Sequence, residues 1–376
     1  MPVIKSYNLM YKGMMVKVKI DKEAIQLSEK SHSKSTERYY DYDWEKFQNY
    51  CLIKYKSDPL DADDVDSAYA MTINYITALR TDPKFIELKG KSEKKRPKKT
   101  RNPYSSTPYR AATIRRIVAS IIYKYRINGF AFDKAHPEHL TLSKALKSIS
   151  IADKAVEIGQ AKGLLKKDIK LIIDQLDKDN NKENNDKTII RDKALILVGF
   201  YSFCRRSEIL GIKKEHITFK EKNAFIRIPF SKTDQIGEGR YVNIPKKNDK
   251  YCAYKALKKW LEISQASNEG FIFNKINKSK RVENDTVRSS DLSYVSLTAA
   301  NFTLMLKQRA KNAGFSEEVC KKISGHSLRI GAITEARMNN VPIHEIQKQS
   351  GHKTPKMIDQ YTQISDIEEA NAADKI

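Results

Sequence analysis

Residues suited to phosphate chemistry gather in one stretch near the carboxyl terminus. His326 and Arg329 are three positions apart, a spacing that places both side chains on one face of a helix. A second Gly-His pair ends at His352, and Tyr361 follows nine residues later. A guanidinium binds phosphate oxygens bidentately, an imidazole donates a hydrogen bond or transfers a proton, and a phenolic oxygen can attack phosphorus. The stretch therefore predicts a phosphate site with a covalent nucleophile.

This order of residues resembles the carboxyl-terminal signature of the tyrosine site-specific recombinases of the phage integrase family, in which H-x-x-R precedes G-H and then Y. That family also carries an Arg in an R-x-[SA]-E helix and a Lys on a β-hairpin. Arg205 and Glu208 belong to a matching R-R-S-E segment, and Lys232 lies between two strand-like runs. Singly, each residue has a plainer explanation, such as a capping histidine or a surface arginine. The ordered set is far more specific than any one member.

The resemblance implies a function for each of these positions. Two arginines would hold the scissile phosphate, two histidines would complete its hydrogen bonds, a lysine would protonate the departing 5′ oxygen, and a tyrosine would form a 3′-phosphotyrosyl bond. The matching residues are, in that order, Arg205 and Arg329, His326 and His352, Lys232, and Tyr361. Glu208 would orient the guanidinium of Arg205, whereas the adjacent Arg206 would be a structural or backbone contact. Because cationic side chains replace metal ions in this scheme, no metal or other cofactor is expected.

The composition favours a polyanionic partner. The chain of 376 residues has 70 Lys and Arg against 46 Asp and Glu, a formal net charge of +24. Such an excess suits nucleic acid, although a general richness in lysine contributes to it and charge alone carries no sequence preference. The four cysteines, which show no C-x-x-C spacing, predict neither a zinc site nor a disulfide framework; they are Cys51, Cys204, Cys252 and Cys320.

The sequence gives no indication of a membrane segment. No apolar run approaches the ~20 residues needed to span a bilayer, and the amino terminus lacks the apolar core of a signal peptide. We therefore expect a soluble, cytoplasmic, nucleoid-associated protein of bacterial or phage origin, with no membrane partner.

The pattern of apolar residues predicts a mainly α fold with a small β-hairpin or sheet. Helical spacing is seen at 33–51, 65–76, 107–126, 140–150, 164–176, 188–203, 255–263 and 298–313, strands are expected at 224–230, 241–245 and 271–273, and a polar loop at 177–187. The resemblance implies two domains that form a C-shaped clamp on duplex DNA, a helical core-binding domain and a mixed α+β catalytic domain. The expected divisions are an amino-terminal extension (1–32), the core DNA-binding domain (33–150), a linker (151–163), the catalytic domain (164–363) and a carboxyl-terminal tail (364–376).

Two groups of basic residues in the first domain are candidates for DNA contacts. The run from Lys84 to Arg101 has nine basic residues against two acidic ones, and it is either a solvated loop or an arm along the DNA backbone. The helix at 107–126 has a basic face opposite an apolar one, which any exposed helix of this composition would also show. The candidate residues are Lys94, Lys95, Arg96, Lys98 and Lys99 in the run, and Arg110, Arg115 and Arg116 on the helix.

The resemblance predicts a site-specific recombinase that acts through a Holliday junction, as a homotetramer on two double-stranded DNA sites with inverted repeats. The segment near His326 looks closest to Cre-type enzymes, although His352 departs from the Trp found there in Cre. The tail would dock on a neighbouring protomer, unless it is a frayed terminus. A type IB topoisomerase shares the catalytic residues, and a non-enzymatic DNA-binding regulator would explain the charge and helices but not Lys232, His352 and Tyr361.

Overall fold

The computed structural model of the chain describes residues 6–11, 14–19, 34–81, 108–154, 161–182, 186–229, 239–276 and 296–362. The chain divides into two compact units, Met1–Ile158 and Gly159–Ile376. The described part is mainly helical, as expected, with two small antiparallel sheets. None of the described helices combines the length and the apolar character that a membrane-spanning segment needs.

The first unit consists of a hairpin and a set of helices. The amino-terminal extension contains two paired antiparallel strands. The elements are β1 (Ser6–Tyr11), β2 (Met14–Lys19), α1 (Lys34–Lys54), a 3-10 turn (Pro59–Asp61), α2 (Val65–Thr81), α3 (Ala111–Ile127) and α4 (Pro137–Lys154).

Aromatic rings form much of the core of the first unit. The predicted apolar stripe of α1 is confirmed at Trp44 and Phe47, which are buried. Trp44 meets Tyr125 of α3 edge to face at 5.3 Å between ring centroids, and Phe47 lies 5.2 Å from Tyr75 of α2. Rings in such tilted and edge-on arrangements contribute more than the area they bury, and here they join three helices.

Helix α4 ends later than the sequence predicted. It continues to Lys154, four residues into the segment expected to be the linker. The carboxylate of Asp153 accepts a hydrogen bond from the backbone N–H of Ala111 at 2.6 Å and forms an ion pair with Arg80 at 2.8 Å. These contacts hold the last turn against α2 and α3, so the helix does not stop where its apolar pattern fades.

The second unit packs helices around a three-stranded antiparallel sheet in the order β3-β4-β5. Its helices are α5 (Lys166–Lys182), α6 (Lys187–Tyr201), α7 (Arg206–Leu210), α8 (Ala253–Ser264), α9 (Ala299–Asn312), α10 (Glu317–Lys322), α11 (Ser327–Met338), α12 (Ile343–Ser350) and α13 (Lys356–Thr362). The strands are β3 (Ile217–Phe219), β4 (Asn223–Ile228) and β5 (Arg240–Pro245), and a 3-10 turn spans Lys214–His216.

Two sequence predictions for this unit were wrong in detail, and one strand was missed. The polar segment 177–187 was predicted to be a loop, but α5 continues to Lys182, and Asp177 within it binds Lys193 of α6 at 2.6 Å. The segment 271–273 is not a strand of the sheet. Phe273 is buried, and the neighbouring residues form isolated bridges such as Asn274 to Ser296. Strand β3 was missed, since three residues are too few to show alternation.

A small apolar cluster holds the last three helices together. Ile333 and Ala336 of α11, Ile346 of α12 and Ile358 of α13 are all buried in it. Since a short helix is unstable alone, α13 depends on this packing for its place. The cluster therefore fixes the position of the last helix relative to α11.

Candidate active site

The first arginine of the predicted site lies at the start of α7 and is held by one carboxylate. Arg205 is the N-cap residue, and its backbone N–H donates to Oε2 of Glu208 at 2.9 Å. Its guanidinium Nη1 donates to Oε1 of the same group, also at 2.9 Å. The Glu208 side chain is 3% exposed and that of Arg205 15% exposed. A buried carboxylate therefore fixes both the backbone and the guanidinium of Arg205.

The adjacent arginine has different neighbours. Nη1 of Arg206 lies 3.3 Å from Oγ1 of Thr303, to which it donates. Its side chain crosses Gly325, where an added Cβ would lie 2.5 Å from Cδ of Arg206. Of the two arginines, Arg205 is thus the one that Glu208 holds.

The second predicted arginine is almost fully buried and binds two backbone carbonyls. Nη1 of Arg329 donates to the oxygen of Phe203 at 2.7 Å and to that of Ser350 at 2.9 Å. Phe203 has a φ of +58°, a left-handed conformation that is uncommon for a bulky residue. Arg329 is 2% exposed. Its position is therefore set by turns that lie far from it in the sequence.

His352 contacts the second terminal nitrogen, Nη2, of the Arg329 guanidinium. Nη2 of Arg329 lies 2.7 Å from Nε2 of His352, and Oγ of Ser350 lies 2.8 Å from Nδ1. Gly351 ends α12 with a φ of +71°, and this left-handed residue turns the chain so that His352 faces Arg329. Burial, followed by the charges of Arg329, Arg205 and Arg240, lowers the pKa of His352 to about 3. The imidazole is therefore neutral near pH 7.

His326 is an exposed residue at the start of α11, three positions before the buried Arg329. It is the N-cap residue of α11, directly before Ser327. Partial desolvation and the charges of Arg206, Arg329 and Arg205 lower its pKa below the ordinary value. Both predicted histidines therefore experience the positive charge of Arg205 and Arg329.

The site contains an arginine that the sequence analysis did not single out. Nη2 of Arg240, the first residue of β5, donates to Oε2 of Glu208 at 2.8 Å. A signal was present in the strand, where Val242 and Ile244 occupy the buried face and alternation places Arg240 on that face. A charged residue on the inward side of a strand needs a partner, and Glu208 supplies it.

Two predicted residues are located through their elements. Tyr361 belongs to α13, and the description of that residue is limited to its backbone. Ile358, one turn earlier, is fully buried against Ile333 of α11, the helix that carries Arg329. Lys232 falls in 230–238, outside the described residues, in the connection between β4 and β5. The tyrosine helix thus packs on the Arg329 helix within one chain.

The candidate DNA-binding residues of the first unit differ in their surroundings. Arg110 and Arg115 are exposed, and Nη2 of Arg115 donates to Oγ of Ser150 at 2.7 Å. Arg116 forms an ion pair with the buried carboxylate of Asp43. The five basic residues between Lys94 and Lys99, together with the tail 364–376, lie outside the described residues.

Charge in the described part of the site is strongly positive. The guanidinium groups of Arg205 and Arg240 both bind the carboxylate of Glu208, and together with that of Arg329 they place three positive charges near His352. Among the described residues, no His, Cys, Asp and Glu side chains cluster as a metal ion would require. The arrangement favours an anion with several oxygens, such as a phosphodiester.

Comparisons with known proteins give a consistent result. The phage integrase family model matches residues 162–368, more than half of the chain. An integrase/recombinase xerD homolog from Selenomonas ruminantium is 28% identical over 349 residues, which cover 93% of this chain and 87% of the relative. The solved structure of the XerH site-specific recombinase bound to palindromic difH substrate, a post-cleavage complex, aligns with a TM-score of 0.53 at 17% identity and covers 87% of this chain and 76% of that one. At this identity the structural similarity shows the fold.

Proposed function

Because the chain belongs to the phage integrase family, and is therefore a tyrosine recombinase that cleaves and rejoins DNA strands in site-specific recombination, we propose that Tyr361 is its nucleophile. The phenolic oxygen forms a bond to phosphorus as the bond to the 5′ oxygen breaks. The product is a 3′-phosphotyrosyl ester and a free 5′ hydroxyl. Attack by a 5′ hydroxyl of another strand reverses the step, so the exchange needs no external energy source.

The packing of α13 on α11 is the observation that carries this proposal. It supports a cis arrangement, in which Tyr361 and Arg329 of one chain act on the same phosphate. Ile358 is buried in the small apolar cluster and anchors α13 there. The tyrosine follows three residues later in the same helix. A nucleophile on an anchored helix is held close to its target before the reaction begins.

The arginines neutralise the phosphate in the proposed mechanism. Charge accumulates on the non-bridging oxygens in the transition state, and oriented guanidiniums stabilise it without rearrangement. Arg205 keeps 15% of its side-chain surface exposed and presents the more accessible guanidinium. Arg329 stabilises the phosphate from its buried position beside His352, where two backbone carbonyls hold its guanidinium in place. Glu208 keeps Arg205 oriented throughout.

The histidines have separate roles in this proposal. His352 accepts from Arg329 and remains neutral, so it orients that guanidinium rather than carrying charge. His326 is exposed and is the better placed of the two to receive the proton that the phenol loses. Tyrosine has an ordinary pKa of about 10, and nearby guanidinium charges favour its loss of a proton during attack.

Lys232 is the proposed general acid for the leaving oxygen. Its place in the connection between β4 and β5 supports this role, because both strands are anchored in the sheet next to Arg240. Protonation of the 5′ oxygen by an ammonium avoids the release of an alkoxide.

We further propose a homotetramer that joins two inverted-repeat DNA sites and exchanges strands through a Holliday junction. The tail 364–376 would then dock on a neighbouring protomer, and its removal should weaken synapsis more than DNA binding. The finer resemblance to Cre-type enzymes stays a prediction, since the similar protein reported above is a XerD homolog and position 352 is His rather than Trp.

Covalent capture on DNA tests the nucleophile directly. Nicked duplexes with a randomised segment are incubated with the full chain, denatured, and separated into free and protein-linked DNA. We expect an adduct enriched in one sequence with inverted symmetry, absent for Tyr361→Phe and present for Tyr241→Phe, a control tyrosine that is 65% exposed on β5. An adduct that persists in Tyr361→Phe would exclude this nucleophile. Adducts without sequence enrichment, with relaxation of any supercoiled plasmid, would indicate a topoisomerase instead.

A further inference from the structure

Arg240 has no role in the mechanism described above, yet it touches the supports of both clamp arginines. Its Nη2 donates to Oε2 of Glu208 at 2.8 Å and to the carbonyl of Ser350 at 3.3 Å. The other oxygen of Glu208 accepts from Arg205, and the Ser350 carbonyl also accepts from Arg329. One side chain therefore connects the group that holds Arg205 with the group that holds Arg329.

The turn before His352 is also built against the Arg240 side chain. A Cβ at Gly351 would lie 2.5 Å from Nε of Arg240, closer than non-bonded atoms approach, and 3.1 Å from its Cδ, a tight contact. Any side chain larger than hydrogen at this position would displace Arg240 or the turn. Because His352 follows directly, its position depends on the same contact.

The position of Arg240 in the sheet explains why its side chain contacts both Glu208 and Ser350. It is the first residue of β5 and pairs with Ile228, the last residue of β4. Its side chain is 16% exposed and points to the face that Val242 and Ile244 bury. The connection that contains Lys232 therefore leaves the sheet after Ile228 and re-enters it at Arg240, beside Glu208.

We propose that Arg240 is a positioning residue for the recombination reaction, which holds the Glu208 carboxylate against Arg205 and the Ser350 turn against Arg329. The inference rests on the proposed function, because it concerns the arrangement of the proposed phosphate clamp. Glu208 is shared between two guanidiniums, so loss of Arg240 removes a charged donor from Oε2, where the backbone N–H of Arg205 continues to bind. Lysine would keep the charge but not the planar, two-armed group that bridges these acceptors.

A double-mutant cycle distinguishes positioning through Glu208 from an independent contribution. The full chain and its variants react, at saturating protein, with a nicked duplex that carries the sequence recovered by covalent capture. We expect Arg240→Gln to slow adduct formation about 10–100-fold, the usual effect of losing a supporting hydrogen bond, with DNA affinity within about threefold of wild type. Glu208→Gln should have a similar effect, and the double variant should be no slower than the slower single variant.

Several results would overturn the assignment. Arg240→Gln reacting at the wild-type rate would do so, and so would rate losses that multiply in the double variant, because Arg240 would then act without Glu208. Arg227→Gln is the matched control, since Arg227 is an exposed arginine on the neighbouring strand β4 and should react normally. If Arg240→Gln does not fold, Arg240→Lys takes its place in the cycle, with the same expectation of non-additive losses.

A DNA-free measurement separates this inference from the proposed function. Hydrogen bonding to Glu208 slows rotation and exchange of the Arg205 guanidinium, so its Nη–H signals should be visible by NMR in the wild-type chain. We expect these signals to broaden in Arg240→Gln and to persist in Arg227→Gln. Unchanged signals would contradict the positioning role even if Tyr361-dependent adducts form, whereas broadened signals without any adduct would contradict only the proposed function.

Discussion

Arg329 and His352 contact each other through Nη2 and Nε2 at 2.7 Å, and both side chains are buried. A charged guanidinium in this position makes protonation of the imidazole unfavourable. Burial adds to the effect, and together they lower the pKa of His352 to about 3. The pair therefore has a single stable charge state over the range in which proteins usually work.

The stability of the protein should depend on this histidine at acid pH. His352 has an ordinary pKa of about 6.5 in the unfolded chain, so the unfolded state takes up a proton first as the pH falls. The free energy of unfolding should decrease between pH 6.5 and about 3, by at most about 1.4 kcal/mol per pH unit from this group. His352→Gln should lose less stability over that range in denaturant titrations. Parallel curves for the two proteins would contradict the assigned pKa.

The buried Asp192 should be far more important for stability than a surface carboxylate. Its side chain is 1% exposed and binds Arg191 at 2.7 Å and Arg309 of α9 at 2.8 Å. Removal of one partner from a buried ion network leaves uncompensated charge, so Asp192→Asn should cost roughly 3–5 kcal/mol of the free energy of unfolding. Asp177→Asn is the control, because Asp177 is 35% exposed and its pair with Lys193 should contribute less than about 1 kcal/mol. Similar losses in both variants would count against the prediction.

Gly331 should not tolerate a side chain although it lies inside a helix. A Cβ there would lie 1.8 Å from the carbonyl oxygen of Leu164, which is backbone and cannot rotate away. In an open position, Gly→Ala in a helix would stabilise by about 1 kcal/mol. We expect Gly331→Ala instead to destabilise by roughly 1–3 kcal/mol or more in thermal unfolding. An increase in melting temperature would show that the segment before α5 moves freely.

Arg115 and Arg116 should affect different properties despite being neighbours. Arg115 is exposed, so Arg115→Gln should weaken DNA binding and lower the slope of affinity against salt by about one unit if it binds a phosphate. Arg116 pairs with Asp43, whose carboxylate also accepts from Ser120 at 2.8 Å, so Arg116→Gln should chiefly reduce stability. The salt dependence of binding and the unfolding midpoint are measured for both variants. A loss of stability in Arg115→Gln, together with weaker DNA binding in Arg116→Gln, would contradict the prediction.

The sequence by itself determined the candidate residues and most of the elements that carry them. Spacing predicted His326 and Arg329 on one helix, which begins one residue later, at Ser327, with His326 as its N-cap residue. The apolar periodicity located α1, α6 and α9 to within a few residues. Such signals are local, because they depend on the period of a helix or strand. Where distant contacts decide the outcome, as at the ends of α4 and α5, the sequence boundaries were wrong.

The tertiary structure alone decided which groups meet. Arg240 entered the site because a strand from the middle of the chain meets the turn before His352, and no periodicity records that encounter. Buried charges must find partners wherever the fold brings them, since an unpaired ionised group in the interior is costly. The sequence therefore specified the chemistry available to this protein, and the packing of remote segments determined how Glu208 and Ser350 are shared among its arginines.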